Sequence, residues 1–238
     1  DFGGGTFDVS ILSVSSGFFD VDASTGEHRL GGDDMDERII AHVTKALQKE
    51  LGKGAKIDQA LQATLKEAAE EAKIALSTEE STRITIPFVA ENRPPFSMEL
   101  TREKLESLIQ DLIDRTREPM ERALQDASLE KEEIDDILLV GGTTLIPAVR
   151  RYVTEYFGKE PLEGDPYTAV AEGAAIAGST YVTEKSRMAK NVEISDVISS
   201  SLGVKIADRS LSKVIERNTK IPISRTRVYT NAWDYVPE

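Results

Sequence analysis

The first eight residues hold the strongest candidate for chemistry, because three consecutive glycines lie between two aspartates. Glycine tolerates positive φ angles, so a turn at Gly3, Gly4 and Gly5 can point several backbone N–H groups into one concavity. Such a concavity binds anions and suits the terminal phosphates of a nucleotide. Thr6 would bring a hydroxyl group to its rim, within reach of a γ-phosphate or an attacking water.

Asp1 and Asp8 flank this turn. Carboxylates are the protein ligands that a hydrated Mg²⁺ takes, since the ion keeps most of its waters. The same residues are also compatible with a glycine-rich hairpin turn between two solvated aspartates. Short motifs match by chance, so both interpretations stay open on these residues alone.

Two further glycine pairs precede predicted helices. Gly31 and Gly32 come before an amphipathic helix that one of the next two aspartates is predicted to cap. A third pair, at 141–142, follows a predicted buried strand at 134–140 and precedes a helix. A strand, a glycine turn and a helix N-terminus together can place backbone donors at a phosphate or at the edge of a nucleotide.

Residues 57–77 are predicted to form another helix, and its spacing places Glu70, Lys73 and Ser77 on one face. Taken alone, this face is most simply a surface ion pair beside a serine at the helix end.

The composition narrows the class of protein. The 238 residues carry 29 Lys and Arg against 42 Asp and Glu, a net charge of −13, which argues against nucleic acid or an anionic membrane surface as the main partner. The chain has no cysteine, which excludes disulfides and thiolate metal sites, and its two histidines lack the spacing of a zinc site. Its residues show neither the pattern of a signal peptide nor the ~20 apolar residues of a membrane span. We therefore expect a cytoplasmic protein. The start inside a motif, without Met, suggests a piece of a longer one.

The remaining pattern predicts an α/β fold followed by an incomplete β segment. Residues 8–31 are typical of a strand pair with a turn at Ser15, Ser16 and Gly17. Thr101 is predicted to cap a long helix that Pro119 interrupts. The helix after Asp165 has a face of small residues, which is expected to pack closely on a sheet. From Val192 onward the pattern consists of short β runs, at 202–206, 213–215, 221–223 and 228–230.

Several segments together closely resemble the nucleotide-binding domain of the seventy-kilodalton heat-shock chaperones of the DnaK type. They are DFGGGTFD at 1–8, LGGDD at 30–34, EAAEEAKI at 67–74, TREKLE at 101–106, LVGGT at 139–143 and FGKEP at 157–161. The resemblance covers residues 1–181 well and 192–230 more loosely.

The resemblance implies an ATP-dependent chaperone of the stress response that binds unfolded polypeptides and works with J-domain and nucleotide-exchange co-chaperones. By that similarity, Gly4, Gly5 and Thr6 would cradle the β- and γ-phosphates of ATP or ADP. Asp1 and Asp8 would act through waters on Mg²⁺ and on the attacking water, and with Thr6 would be the catalytic residues.

The nucleoside would be held by residues from three segments. They are Gly32, Glu70, Lys73, Ser77, Gly141, Gly142 and Thr143. The resemblance thus replaces the surface ion pair as the interpretation of the helix face that carries Lys73.

The implied architecture is an actin-like, two-lobed ATPase, and this chain would carry its second lobe at 1–182. That lobe would consist of a mixed sheet with helices and a smaller α+β subdomain. The implied divisions are an inner subdomain at 1–30 and 110–182, an outer subdomain at 31–109, a linker at 183–196 and the truncated start of a β-sandwich peptide-binding domain at 197–238. One lobe supplies only half of the phosphate-binding groups, so the piece alone is expected to be inactive as an ATPase.

Three places depart from the family pattern. Leu145 stands where the family has an arginine that stacks on adenine, which removes a cation–π contribution of ~0.5–2 kcal/mol. Tyr167 replaces the aspartate of the family's Asn-Pro-Asp-Glu-Ala. Residues 192–196 are polar where the family linker is rich in leucine, so this segment is expected to dock less well on the ATPase lobe.

Two alternative classes share the actin-like fold, namely sugar kinases or other phosphotransferases and non-enzymatic assembly proteins. A kinase would need a carboxylate base and sugar-binding polar residues beside the phosphate loops, and the sequence shows none. The β-rich tail fits neither class. Because the tail has about four short strands where a sandwich domain needs about seven, residues 197–238 are expected to pair with a second copy.

Overall fold

A computed structural model describes residues 1–52, 57–89, 93–182 and 192–230. The strands are β1 (Phe7–Ser15), β2 (Phe18–Glu27), β3 (Ser81–Ile86), β4 (Phe96–Thr101), β5 (Glu193–Val197), β6 (Leu202–Lys205), β7 (Leu211–Ile215) and β8 (Lys220–Ile221). The helices are α1 (Gly32–Leu51), α2 (Gln59–Ala75), α3 (Arg102–Asp114), α4 (Arg117–Ala127), α5 (Pro147–Phe157) and α6 (Ala169–Val182). The fold class is α/β, as predicted.

The chain divides into two compact units. The first contains Asp1–Phe7, Glu27–Glu118 and Lys131–Ala171, and the second contains Asp8–Gly26, Pro119–Glu130 and Glu172–Glu238.

The core of the first unit lies between α1, α2, α3 and the β3–β4 hairpin. Helix α1 packs on α2 and α3, and α2 packs on β3. Met35, Ile39, Val43 and Leu47 form the buried stripe of α1, as their helical spacing predicts. The N-cap position is Gly31 and not one of the two aspartates, but the Asp34 carboxylate, at the third helical position, accepts the Gly31 N–H at 2.8 Å.

The C-terminal end of α2 is fixed by the start of α3. The Arg102 guanidinium donates to the Leu76 carbonyl oxygen at 2.8 Å, and the Arg102 N–H donates to the Glu80 carbonyl at 2.8 Å. Thr101 caps α3 as predicted, because its hydroxyl accepts the Lys104 N–H at 3.2 Å. These contacts hold the last turn of α2 against the β3–β4 hairpin.

In the second unit, the predicted strand pair is confirmed as the β1–β2 hairpin. Ser16 and Gly17 form its two-residue turn with φ angles of 49° and 90°, as a type I′ turn requires. The sheet has the order β1-β2-β5-β8, with β5 parallel to β2 and β8 antiparallel to β5. It is therefore a mixed sheet, as predicted.

Strand β5 comes from the segment predicted to be a polar linker, and it pairs with Phe18–Asp20. Parallel pairing uses backbone groups, so the polarity of its side chains does not prevent it. Asp126 on α4 accepts hydrogen bonds from Arg217 at 2.7 Å and from Asn218 at 3.0 Å, next to β8. Residues 183–191 of the predicted linker and 231–238 of the tail lie outside the described residues.

Two predicted elements differ in the structure. Residues 134–140 are not a buried strand; they make isolated backbone hydrogen bonds, such as that from Phe2 N–H to the Val140 oxygen at 2.8 Å, and Leu138 is exposed. An apolar run becomes a strand only where another strand can pair with it, and the described residues place none there. The short β run at 228–230 is irregular for the same reason.

Helix α6 begins four residues after Asp165, because the Asp165 carboxylate accepts the Tyr167 N–H at 2.8 Å and forms a turn first. Residues 171–176 of its small-residue face are exposed, so the prediction that this face packs on a sheet is wrong. The predicted interruption at Pro119 is confirmed: α3 ends at Asp114 and α4 begins at Arg117, which puts Pro119 in a first turn where its missing N–H costs nothing.

Candidate functional site

The first two glycine turns are joined backbone to backbone in the first unit. The Gly32 N–H donates to the Gly3 oxygen at 3.0 Å, and the Asp33 N–H donates to the Gly4 oxygen at 2.8 Å. A side chain at Gly31 would overlap the Gly4 carbonyl group, so only glycine allows the two turns to approach this closely.

The third glycine turn is attached to the same segment. The Thr143 N–H donates to the Phe2 oxygen at 3.1 Å, and the Thr143 hydroxyl donates to the Gly3 oxygen at 2.9 Å. Gly141 has a φ of 90°, and a side chain there would overlap the Phe2 carbonyl. The structure therefore brings together three glycine turns that lie up to 140 residues apart, and it uses the buried hydroxyl of Thr143 to brace them.

The tip of the first turn carries open hydrogen-bond donors. Gly4, Gly5 and Thr6 are exposed, and their backbone N–H groups have no acceptor among the described residues. A side chain at Gly4 or Gly5 would meet nothing within 4 Å. Neither residue has a positive φ angle, so the prediction that glycine is needed here for its backbone conformation is wrong. The absence of side chains instead leaves open space beside the N–H groups, where an anion could bind.

Helix α2 brings Lys73 to the same place. The Lys73 ammonium group donates to Gly32 O at 3.0 Å and to Asp36 Oδ2 at 2.8 Å. A Cβ atom built on Gly32 would lie 3.0 Å from both Lys73 Nζ and the Thr143 hydroxyl. The predicted residues Gly32, Lys73 and Thr143 thus converge on one point.

Asp36 also belongs to this cluster, although it lies outside the motifs found in the sequence. It is only 2% exposed, and burial raises the pKa of its carboxyl group. The Lys73 ammonium group opposes this shift, while the nearby charges of Glu70 and Asp33 add to it. The signal in the sequence was a carboxylate within the apolar stripe of α1, one residue after Met35.

The other predicted nucleoside residues surround this cluster. Glu70 is exposed on α2, and Ser77, two residues beyond the end of α2, donates its hydroxyl to the Lys73 backbone oxygen at 3.4 Å. Tyr167 is 65% exposed and its ring lies against Gly142, where a built Cβ would be 3.1 Å from Tyr167 Cε1. Leu145 is 42% exposed.

The two predicted Mg²⁺-associated residues lie in different parts of the chain. Asp1 is exposed in the first unit, with its carboxylate beside Gly141, and Asp8 is an exposed residue of the second unit near the start of β1. The described ranges contain no group of three or more His, Cys, Asp or Glu side chains that could hold a metal ion directly. Mg²⁺ bound through waters therefore stays a prediction.

Comparison with known proteins gives the family. The family model described as Hsp70 protein matches residues 1–238. The chaperone protein DnaK of Thermosipho africanus is 42% identical over 238 residues, and that of Thermotoga maritima is 40% identical over 239 residues; each match covers 98% of this chain and 40% of the relative. The chain belongs to the Hsp70 family, as the resemblance predicted, and the actin-like α/β lobe follows from that membership.

The chain spans about 40% of the length of the curated relatives it matches. Family membership does not favour the sugar-kinase and assembly-protein alternatives. None of the helices in the described ranges has both the length and the apolar character needed to cross a membrane.

Proposed function

We propose that the first unit is the part of an ATP-dependent chaperone that binds the adenosine side of ATP or ADP. The observation that carries this proposal is the convergence of three glycine turns and Lys73 on Gly32. The relatives, whose names describe them as chaperone proteins, support the same reading of the site.

The phosphates would bind at the tip of the first turn. The N–H groups of Gly4, Gly5 and Thr6 are exposed and available, and consecutive backbone donors bind phosphate oxygens without a side-chain charge. The net charge of −13 does not oppose this, because the donors act locally. Thr6 would place its hydroxyl at the rim, where it can order the terminal phosphate or an attacking water.

The nucleoside would bind beside Lys73. An ammonium group and the carboxylate of Glu70 on one face of α2 can donate to and accept from the two ribose hydroxyls. Ser77 would contact the base from the end of that helix. Gly141 and Gly142 would line the opposite side, and the exposed surfaces of Leu145 and Tyr167 offer apolar contact to the base where the family uses an arginine.

The residues present fit a hydrated Mg²⁺, because Asp1 offers a hard oxygen ligand and this ion keeps most of its waters. When bound with nucleotide, the ion would neutralise charge on the phosphates. Asp8 remains the second predicted carboxylate for it.

In its longer form the protein would bind unfolded polypeptides and cooperate with J-domain and nucleotide-exchange co-chaperones. A cytoplasmic location belongs to the same proposal. Self-association through 197–238 is a separate part of it, which depends on the exposed apolar residues of the β6–β7 hairpin.

The decisive experiment is a titration with MgADP that compares Lys73→Ala with Lys104→Ala. Lys104 is an exposed lysine of α3 outside the glycine turns, so it controls for the loss of one positive charge. We expect Lys73→Ala to lower the affinity roughly tenfold and Lys104→Ala to leave it unchanged. Equal effects of the two changes would mean that Lys73 serves only the ion pair with Asp36 and does not bind the nucleotide.

A further inference from the structure

Asp36 is the one charged side chain among the described residues that is buried. It lies on α1 and contacts Lys73 on α2, at a distance of 2.8 Å between Asp36 Oδ2 and Lys73 Nζ. The Lys73 side chain is itself only 13% exposed. The two helices therefore meet here through an ion pair instead of apolar side chains.

Stability alone is a poor explanation for this pair. Burying two charges costs about as much as their attraction returns, and apolar residues of similar volume are often as stable or more so. Asp36 Oδ1 is buried without a hydrogen-bond partner among the described residues, and this adds a further cost. The raised pKa of Asp36 reflects the same desolvation.

The geometry does fix the position of Lys73. An ammonium group has three N–H bonds, and here one goes to Asp36 and one to Gly32 O, at 2.8 Å and 3.0 Å. The third has no acceptor among the described residues. A flexible lysine side chain is thereby held at one point, beside Gly32 and the Thr143 hydroxyl.

We propose that Asp36 is a positioning residue for nucleotide binding, which holds the Lys73 ammonium group at the Gly32 carbonyl and leaves its third N–H for the nucleotide. This inference rests on the proposed function. It adds a residue that does not touch the ligand and acts through Lys73 alone.

The test is a double-mutant cycle on the 238-residue chain, with MgADP affinity measured by NMR titration, which suits weak binding. We expect Asp36→Asn and Lys73→Met each to weaken binding roughly tenfold. The double variant should bind no more weakly than Lys73→Met alone, because Asp36 has nothing left to position. Asp111→Asn is the control, because Asp111 on α3 forms an ion pair with Arg38 of α1, but at the surface. This variant should leave the MgADP affinity unchanged.

A purely structural Asp36 would lower the affinity by the same factor in both backgrounds, and that additivity would overturn the proposal. Thermal melts of all variants separate loss of folding from loss of binding. Should Lys73→Met fail to fold, Lys73→Gln also removes the charge that pairs with Asp36 and supplies the same corner of the cycle. If the unmodified chain does not bind MgADP, the proposed function fails and this inference with it; if it binds and the cycle is additive, only the inference is wrong.

Discussion

Single atoms decide how closely the glycine turns approach one another. Gly31 lies against the Gly4 carbonyl and Gly141 against the Phe2 carbonyl, with no room for a Cβ atom at either position. Gly4 and Gly5, in contrast, have open space around them. The same residue type therefore permits close packing in two turns, whereas it leaves open space in the third.

The buried carboxyl group of Asp36 makes the stability of the fold depend on pH. Its pKa is raised from the ordinary value of 3.8, chiefly by burial, so the folded state takes up its proton more readily than the unfolded chain. Its contribution to stability is therefore greatest below 3.8 and is lost as the pH rises through the raised pKa.

We expect the free energy of unfolding of the chain, minus that of Asp36→Asn, to fall as the pH rises above the ordinary value of 3.8. Denaturant unfolding at a series of pH values measures this difference. Asp20→Asn is the comparison variant, because the hydrogen bond from Lys220 lowers the pKa of Asp20. The corresponding difference in the free energy of unfolding should therefore rise with pH instead of falling. A flat difference for Asp36 would contradict the assignment.

Helix α2 matters at the scale of elements because it carries Lys73 and Glu70, and the start of α3 fixes its end. Arg102 is the first residue of α3 and donates to Leu76 and pairs with Glu80. The cap of α3 thus supports the position of α2 indirectly.

Removing the α3 cap should lower stability without a direct effect on the site. Thr101→Ala leaves the Lys104 N–H without its acceptor, and we expect a loss of about 1 kcal/mol in the free energy of unfolding. Thr64→Ala is the matched control, because the Thr64 hydroxyl only donates to a carbonyl within α2. Equal losses in the two variants would show that Thr101 does not act as a cap.

At the scale of the whole molecule, the chain spans about 40% of the length of its DnaK relatives, and the resemblance assigns it one lobe of a two-lobed ATPase. Phosphoryl transfer depends on positioned donors and charge from every side of the phosphates. The proposed site would supply the phosphates with backbone donors from one turn only.

We therefore expect residues 1–238 to hydrolyse ATP no faster than background. A coupled phosphate-release assay with Mg²⁺ measures the rate, with the Thr6→Ala variant as the control for contaminating activity. Turnover that depends on Mg²⁺, survives purification and disappears in Thr6→Ala would contradict this expectation.

Self-association is the second prediction at this scale. Strands β5 and β8 are paired within the chain, whereas β6 and β7 form an isolated two-stranded sheet with Leu202, Val204 and Leu211 exposed. Unpaired edges beside apolar side chains recruit other chains.

Light scattering should show concentration-dependent dimers for the chain and monomers for Val204→Lys, which places a charge on the β6–β7 hairpin. Thr226→Lys adds the same charge outside the hairpin and should still dimerise. Monomers at every concentration, with rapid proteolysis of the tail, would show the prediction to be wrong.

The family, the fold class and most of the elements could be predicted from local sequence patterns. Helical spacing identified the buried stripe of α1, and the glycine turn at Ser16 and Gly17 identified the first hairpin, because these patterns depend on neighbours within a few residues. The four glycine and helix motifs were specific enough in combination to indicate the family that the comparisons then confirmed.

Which of these residues contact one another could not be predicted in this way. Asp36 and Lys73 are 37 positions apart, and Thr143 lies 140 positions from Gly3, so no local pattern reports their contacts. The apolar run at 134–140 does not form a strand, whereas the polar segment Glu193–Val197 does. The difference arises because a strand needs a neighbouring backbone with which it can pair. Long-range contacts of this kind are set by how the elements pack, which a local sequence pattern does not contain.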